Sequence, residues 1–329
     1  MGLSAQPSLH VIRKVADAYT TLKANIRAGN LGRVGSPRRT KAESTPVRFR
    51  PTAAQPFDDR SLSWNHENKT ISIWTVNGRI KNIPFRTRPS DYLILQANRA
   101  GETDLIHVDG NFYLMATINE PAPQLIKPDG WIGVDMGIVN IATSYNQSNK
   151  TSANWSGGAI TRNRKRNQKL RGRLQNKNTS SAKRLLKKRG RKEARFAKDV
   201  NHQISKQIVT EAKRTKSGIA IEQLAGIRTR ARLRKPQRVA LNSWSFAQLA
   251  AFLTYKAEQA GIPLQTVNPA YTSQQCSQCG HTDKKNRASQ ANFACRSCGV
   301  LLHADHNAAI NIAQRGHDSW GAVNRPNAA

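Results

Sequence analysis

The apolar positions at the start of the chain repeat with the period of a helix. Between Leu9 and Ile26 they recur at steps of three and four residues, and a glycine-containing stretch follows. Because residues at those steps share one face of a helix, the pattern predicts an amphipathic helix over residues 8–28. The basic residues that follow, next to Pro37, predict a loop, so residues 1–44 are expected to form a helix and a basic loop.

Between residues 45 and 120 the apolar period falls to two, which is the period of β-strands. Asn77-Gly78 and Asp109-Gly110-Asn111 each separate two such runs, as turn residues do in β-hairpins. Further short strands are predicted at residues 47–50 and 92–96, which makes about six in all. Strands of this length and spacing favour a small barrel or sandwich.

The next apolar stretch, W-I-G-V-D-M-G-I-V-N-I-A-T-S at residues 131–144, has one carboxylate near its middle, Asp135. Because alternate side chains of a strand share a face, Asp135 shares its face with Gly133 and Gly137. These glycines leave room for a bulky ligand to approach the backbone. An ionised carboxylate in an apolar strand is costly unless it is paired or holds a metal. The alternative is a turn aspartate at a strand end.

The remainder of the chain alternates apolar elements with strongly basic stretches. After two strands, the second ending near Trp155, residues 161–200 hold 17 Lys or Arg and two acids. Such a run is usually a solvated face or a disordered tail. Here it lies between core strands, which favours a basic helical insert over residues 161–215 that faces nucleic acid. The elements that follow are a short strand carrying Glu222, a basic stretch at 228–238, a helix capped by Ser243 and a strand at 263–268.

The net charge points to a polyanionic partner. The 329 residues include 53 Lys or Arg and 20 Asp or Glu, which gives a net charge of +33. So many positive charges repel one another unless a polyanion binds them, and nucleic acid is the usual polyanion. An anionic membrane surface is the competing explanation of the charge. Since the chain has no run of 18 apolar residues and no signal-peptide core, we expect a soluble cytoplasmic protein, without a membrane partner.

All four cysteines fall within a short segment with the spacing of a metal site. Two Cys-x-x-Cys pairs, each followed by a glycine, are separated by fifteen residues. The spacing predicts a four-cysteine zinc ribbon with tetrahedral, closed and therefore structural coordination. His281 and His303 lie close by but are not needed as ligands. The four predicted zinc ligands are Cys276, Cys279, Cys295 and Cys298.

A third acid, Asp305, begins the apolar run that follows the ribbon. It precedes a predicted buried stripe of alanines and Ile312, so it faces the interior unless it only caps the helix. With Asp135 mid-strand and Glu222 at a strand end, three acids now stand at apolar elements beside small residues. Phosphodiester hydrolysis uses two divalent cations about 3.5–4 Å apart, and Mg²⁺ prefers carboxylate oxygens. The residues therefore predict a carboxylate metal site in a basic zinc protein.

Four motifs in this order resemble the TnpB family, the transposon-encoded relatives of type V CRISPR effectors. They are G-V-D-M-G-I-V-N-I-A, I-A-I-E-Q-L-A-G-I-R, N-P-A-Y-T-S-Q-Q-C-S-Q-C-G-H and A-D-H-N-A-A-I-N-I-A. By this resemblance Asp135, Glu222 and Asp305 correspond to the catalytic carboxylates, which hold Mg²⁺ or Mn²⁺. Cys276, Cys279, Cys295 and Cys298 correspond to the zinc ligands.

The resemblance implies a mixed α+β fold: an RNase-H-like (RuvC) nuclease domain with an inserted zinc ribbon, preceded by a wedge-like β-barrel and a helical segment. The implied divisions are residues 1–44, a truncated recognition lobe; 45–127, the wedge-like domain; 128–270, the first part of the nuclease with its insert at 161–215; 271–302, the ribbon; 303–316, the final nuclease helix; and 317–329, a tail.

The implied activity is RNA-guided DNA cleavage at a single RuvC site. The implied partners are a guide RNA from the transposon end, target DNA in double- and single-stranded form, and a separate transposase of the same element. The setting is a prokaryotic cytoplasm, in association with the nucleoid. Two alternatives stay open: an RNA-guided DNA binder or repressor that does not cut, and a strand-transfer transposase, which the acid order Asp, Glu, Asp disfavours.

Overall fold

A computed structural model describes residues 5–223 and 246–323 of the chain. The chain forms two compact units that divide between Pro121 and Ala122. The described helices are α1 (Ala5–Arg27), α2 (Pro37–Ser44), α3 (Pro89–Asn98), α4 (Gly158–Lys177), α5 (Ser180–Arg214), α6 (Phe246–Gln259) and α7 (Ala304–Val323). The described strands are β1 (Gln55–Phe57), β2 (Leu62–Asn65), β3 (Thr70–Thr75), β4 (Gly78–Pro84), β5 (Arg99–Val108), β6 (Asn111–Ile118), β7 (Gly130–Asp135), β8 (Asn140–Asn146), β9 (Thr151–Ser156), β10 (Ser217–Glu222), β11 (Leu264–Val267), β12 (Asn292–Ala294) and β13 (Leu301–His303).

The first unit begins with the predicted helix, α1, whose existence is confirmed. Several of its apolar residues face solvent, including Ile12, which is 63% exposed. The predicted basic loop after it is wrong in part, because residues 37–44 form α2. Pro37 stands at the start of α2, where its missing N–H costs nothing. Arg39 and Glu43 form an ion pair one turn apart on the same helix, at 2.8 Å.

Two antiparallel three-stranded sheets, β1-β5-β6 and β2-β3-β4, make up the rest of the first unit. They share one apolar core that includes Phe57, Leu62 and Ile71. Within residues 45–121, all of which are described, hydrogen bonding therefore forms two separate sheets rather than one continuous barrel. Both hairpins are confirmed. The turn between β5 and β6 is Asp109-Gly110, whereas the turn between β3 and β4 is Val76-Asn77, because Gly78 pairs with Thr75 and begins β4.

Two of the strands predicted for this unit are wrong. Residues 92–96 lie in α3, which begins at Pro89 and carries Asp91 in its first turn, where a negative charge suits the helix dipole. An apolar run of five residues cannot by itself distinguish a strand from a helix. Residues 47–50 form no strand; prolines flank them on both sides, and proline cannot donate to a ladder.

The second unit is built on a five-stranded sheet of order β11-β10-β7-β8-β9. Strands β7, β8 and β9 are consecutive and antiparallel, whereas β10 and β11 run parallel to β7. Helices α5 and α6 cover one face of the sheet, and α7 covers the other. The mixed α+β class predicted from the sequence is confirmed by this layered arrangement.

The basic stretch after β9 forms the predicted helical insert, a pair of helices α4 and α5. Among the apolar residues of the pair, Leu174 is buried, while Leu185 and Phe196 are about 40% exposed. The C-terminal half of α5 packs on the sheet instead, through Ile204 and Ile208 among others. The insert is therefore anchored at one end by the core and exposes most of its basic residues along the rest.

Helix α7 lies directly against strand β7, with its predicted stripe Ala308, Ala309, Ile312 and Ala313 buried. A Cβ placed on Gly133 would come closer than 3.0 Å to backbone atoms of Ala309 and Ala313. The space that Gly133 leaves is thus filled by a helix, and the prediction that it admits a ligand is wrong. The helix also continues to Val323 rather than ending at residue 316.

Two predicted features, the basic stretch at 228–238 and the Ser243 cap of α6, lie outside the described residues. Helix α6 itself is confirmed, with Leu249, Leu253 and Ala257 buried. None of the helices within residues 5–223 and 246–323 combines the length and the apolar character needed to cross a membrane.

Candidate functional site

The three acids selected from the sequence lie at ends of elements that meet at one edge of the large sheet. Asp135 is the last residue of β7 and Glu222 the last of β10, so the prediction of a mid-strand Asp135 is wrong. The two strands are parallel neighbours, and the pairing of Ile221 with Val134 puts Glu222 level with Asp135. Neighbouring strands lie about 4.8 Å apart, and residues at one level point to the same face. Asp305 stands in the first turn of α7, on that face.

The charges of the other two acids act on Asp135. Burial raises the pKa of Asp135 to about 8, and the negative charges of Glu222 and Asp305 raise it as well. Burial also raises the pKa of Glu222, against a hydrogen bond from Thr272 and the charge of Arg315. Within the described residues, no choice of one oxygen from each of the three acids brings all three oxygens within 4.8 Å of one another. Like charges without a cation are expected to stay apart in this way.

Polar neighbours hold two of the three carboxylates. The Thr272 hydroxyl donates to Glu222 Oε1, and Asn140 Nδ2 donates to Asp305 Oδ2 at 2.8 Å. Thr272 and Asn140 are both less than 10% exposed. Both residues stand inside motifs visible in the sequence, but nothing in the sequence shows which acid each would contact.

One cation, Arg287, reaches the acids from the cysteine-rich segment. Its guanidinium lies 3.8 Å from Asp305 Oδ1 and lowers the pKa values of Asp135 and Glu222. Sequence reasoning missed this residue, because it is one of 53 basic residues and stands between the two cysteine pairs, far from the acid motifs. Its charge offsets part of the repulsion among the carboxylates.

The four cysteines form a second cluster, in which all four Sγ atoms lie within 4.8 Å of one another. The Cys276–Cys298 and Cys279–Cys295 sulfur distances are 3.7 and 3.6 Å. A tetrahedral ion with metal–sulfur bonds of about 2.3 Å has an edge of about 3.8 Å, so the cluster fits a metal ion of that kind.

Backbone N–H groups contact the sulfur of Cys295. Gly280 and Gly299 adopt positive φ and fold each Cys-x-x-Cys into a tight turn. The Cys298 N–H points at Cys295 Sγ at 3.5 Å, and this contact, together with the Ser297 N–H and the neighbouring thiols, lowers the pKa of Cys295. His303 is occupied elsewhere: its Nδ1 accepts the Asp305 N–H at the start of α7.

The helical insert presents a broad basic surface. Of the 17 Lys and Arg side chains within residues 161–200, all but Arg164 and Arg189 are exposed. One of the exposed residues, Arg171, forms an ion pair with Glu193 at 3.4 Å. Exposed cations at this density suit contact with a phosphate backbone. Such contacts position the protein on the nucleic acid through charge and do not depend on the base sequence.

Comparison with known proteins matches residues 246–312 to the family model "Cas12f1-like, TNB domain". A CRISPR-associated endodeoxyribonuclease Cas12f1 of Sulfoacidibacillus thermotolerans is 31% identical over 264 residues, which cover 76% of this chain and 60% of that protein. A TnpB-like protein of Methanocaldococcus jannaschii is 32% identical over 155 residues, or 47% of this chain and 55% of that one. The chain thus matches 60% or less of the length of these relatives.

Two further matches agree with these. InsQ of Escherichia coli, named a putative RNA-guided DNA endonuclease, is 48% identical over 65 residues, which cover 20% of this chain and 16% of that protein. The fold resembles the protein in a cryo-EM structure of a Cas12f1-sgRNA-target DNA complex, with a TM-score of 0.58 at 16% identity, over 79% of this chain and 59% of that one. The resemblance inferred from four short motifs is confirmed, and the chain belongs to the TnpB family.

Proposed function

We propose that this chain is an RNA-guided, divalent-metal-dependent DNA endonuclease of RNase-H-like (RuvC) type with a single active site. The observation that carries the proposal is the meeting of Asp135, Glu222 and Asp305, from three distant positions, at the carboxyl edge of β7 and β10. The strand order, with three antiparallel strands followed by two parallel ones, supports the RNase-H-like assignment. The relatives named as endonucleases support the reaction.

The donor set fits hard cations such as Mg²⁺ or Mn²⁺. Three carboxylates without a thiolate or imidazole match the oxygen preference of these ions. Burial is the main reason that the pKa of Asp135 is raised to about 8, and the negative charges of Glu222 and Asp305 add to the shift. When bound, a pair of such cations supplies activation of a water nucleophile and stabilisation of the leaving oxygen.

In this proposal each acid has a distinct role. Asp135, on whose carboxyl the charges of the other two acids act, would be a ligand of both cations, while Glu222 and Asp305 would each bind one. Attack in line on the scissile phosphate would leave 5′-phosphate and 3′-hydroxyl ends.

The proposed partners are a guide RNA from the transposon end and target DNA in double- and single-stranded form. Base pairing between the guide RNA and the target DNA would determine sequence specificity, and the protein would bind the sugar-phosphate backbones. The net charge of +33 and the exposed basic surface of α4 and α5 support this division of labour. Encoding by a transposon, a separate transposase from the same element, and a cytoplasmic, nucleoid-associated location complete the proposal. The proposal also divides the chain into a recognition-lobe segment, a wedge-like domain, and a nuclease with an inserted ribbon.

A cleavage assay on the protein co-purified with its RNA tests this function. We expect matched DNA to be cut with Mg²⁺, and to be bound but intact when Mg²⁺ is omitted or EDTA is added. Mismatched DNA serves as the control. Matched DNA that is held but never nicked with Mg²⁺ would favour a guided binder, and joined products would favour a strand-transfer transposase.

We further propose that the four-cysteine cluster holds a structural Zn²⁺. Replacing Cys295 by serine is expected to abolish stable zinc retention and to unfold the ribbon, because three thiolates leave the tetrahedral site open. Metal analysis of the purified variant measures this loss. The variant Ser297→Ala, at a neighbouring position that supplies no ligand, should keep one zinc per chain. Full zinc retention by Cys295→Ser would contradict the ligand assignment.

A further inference from the structure

Asp305 is held on one side by a chain of hydrogen bonds that the proposed function does not use. Its Oδ2 accepts from Asn140 Nδ2 at 2.8 Å, and both residues are less than 10% exposed. Asn140 Oδ1 in turn accepts from Asn154 Nδ2 at 3.2 Å, and Asn154 Oδ1 accepts from the Thr143 hydroxyl at 3.3 Å. Donor and acceptor alternate along the whole chain.

This alternation fixes the direction of every amide in it. Because Asn140 Oδ1 is engaged by Asn154, the amide of Asn140 can only offer its NH₂ group to Asp305. The Thr143 hydroxyl, which can donate or accept, here donates to Asn154 Oδ1. The result is a relay of hydrogen bonds in one direction, from Thr143 through Asn154 and Asn140 to Asp305, a carboxylate of the proposed metal site that only accepts when ionised.

Sheet register explains why these residues meet. Asp135, Thr143 and Asn154 occupy one level across β7, β8 and β9. The chain turns between Asp135 and Asn140, so Asn140 begins β8 next to the end of β7. The relay therefore shares the sheet edge at which the acids gather.

The other oxygen of Asp305, Oδ1, lies 3.8 Å from the guanidinium of Arg287. The charge of Arg287 also lowers the pKa values of Asp135 and Glu222, so Oδ1 is on the side of a group whose charge reaches all three acids. With Oδ2 tied to Asn140, the carboxylate cannot rotate to exchange the two oxygens without breaking a buried hydrogen bond.

We propose that Asn140, oriented by Asn154 and Thr143, is a positioning residue that holds Asp305 with Oδ1 directed toward a divalent cation. The inference rests on the proposed function only in that the acids bind such a cation. Partners that orient metal ligands typically change metal affinity or activity by about 10–100-fold when removed.

The test is a titration of the full-length protein with Mn²⁺, followed by the electron paramagnetic resonance signal of free Mn²⁺. The Mn²⁺ that is bound by the three acids is identified as the Mn²⁺ whose binding is lost or weakened in the variant Asp135→Asn. We expect Asn140→Ala to weaken that Mn²⁺ by about tenfold or more, and Asn154→Ala by a few-fold. Since Asn154 acts only through Asn140, the double variant should bind no more weakly than Asn140→Ala alone.

Asn149→Ala provides a matched control, because Asn149 is an exposed asparagine in the same β8–β9 hairpin whose side chain contacts Glu211 instead. It should bind Mn²⁺ as the unmodified protein does. Asn154 is exposed as well, so its variant keeps the test valid if Asn140→Ala fails to fold.

Unchanged Mn²⁺ affinity in Asn154→Ala and in folded Asn140→Ala, or effects that add in the double variant, would overturn the relay. Absence of any Mn²⁺ sensitive to Asp135→Asn would overturn it too. A protein that binds Mn²⁺ in the expected order but cuts no DNA would refute the proposed endonuclease and leave the relay standing.

Discussion

Replacing Asp135 by alanine is expected to abolish DNA cleavage while leaving RNA binding close to normal. The charges of Glu222 and Asp305 both act on Asp135, and in the proposal its loss removes the ligand that both cations would share. The rate of cleavage should fall by at least about a thousandfold, as for a group whose partners act as a unit with it. Single-turnover cleavage and a filter-binding assay of the same preparation measure the two properties.

The stability of the metal-free protein provides an independent readout of Asp135. Its pKa of about 8 lies above the ordinary value of 3.8, so between those pH values the folded protein holds a proton that the unfolded chain releases. The carboxyl therefore destabilises the fold increasingly as pH rises from about 4 to about 8. Asp135→Asn should raise the Tm of the zinc-loaded, Mg²⁺-free protein at pH 8 and leave it unchanged near pH 4.

These outcomes separate a catalytic role from a folding role. A variant of Asp135 that loses RNA binding together with cleavage, or that melts at a lower temperature at pH 8, would show that the acid is needed for folding. A variant that is more stable and no longer cuts DNA would show that Asp135 lowers the stability of the fold and is required for cleavage. This combination is common at functional sites.

Replacing Gly133 by alanine is expected to destabilise the second unit severely. A Cβ at this position would approach backbone atoms of Ala309 and Ala313 closer than 3.0 Å, and backbone cannot rotate aside as a side chain can. Helix α7 must then move away from β7, at a cost of about 3 kcal/mol or more in the free energy of unfolding. Asp305 lies one turn before Ala309 on that helix, so cleavage should fall as well.

The matched control is Gly190→Ala, a glycine in the exposed middle of α5 with no atom within 4 Å of the added Cβ. Alanine is the better helix former, so this variant should be more stable by up to about 1 kcal/mol. Denaturant unfolding of both variants measures the difference. A Gly133→Ala protein as stable as the unmodified chain would mean that α7 does not lie directly against β7.

Local sequence signals predicted many of the individual elements. Asp109-Gly110 predicted one hairpin turn, and both residues adopt the positive φ that such a turn requires. Asn77-Gly78 predicted the other hairpin with a turn one residue too late, since Gly78 pairs with Thr75. The buried stripes of α6 and α7 followed from the helical period. Segments without such signals, such as residues 92–96, were assigned to the wrong element because a short apolar run suits both strand and helix.

The candidate site was predictable in its residues and not in its geometry. Asp135, Glu222 and Asp305 were selected because a carboxylate in an apolar element is costly unless it is paired or holds a metal. Their catalytic role stays a prediction. Arg287 and the relay through Asn140 depend on contacts between residues up to 165 positions apart, which no local pattern contains. Gly133 was assigned to ligand access because the sequence does not reveal that α7 fills the space.

The central claim is that the three acids together hold a pair of divalent cations. Anomalous scattering from crystals grown with Mn²⁺ tests it most directly. We expect two manganese peaks about 3.5–4 Å apart, both bounded by the carboxylates of Asp135, Glu222 and Asp305. Crystals that show zinc at the four cysteines and no manganese peak among the acids would contradict the account.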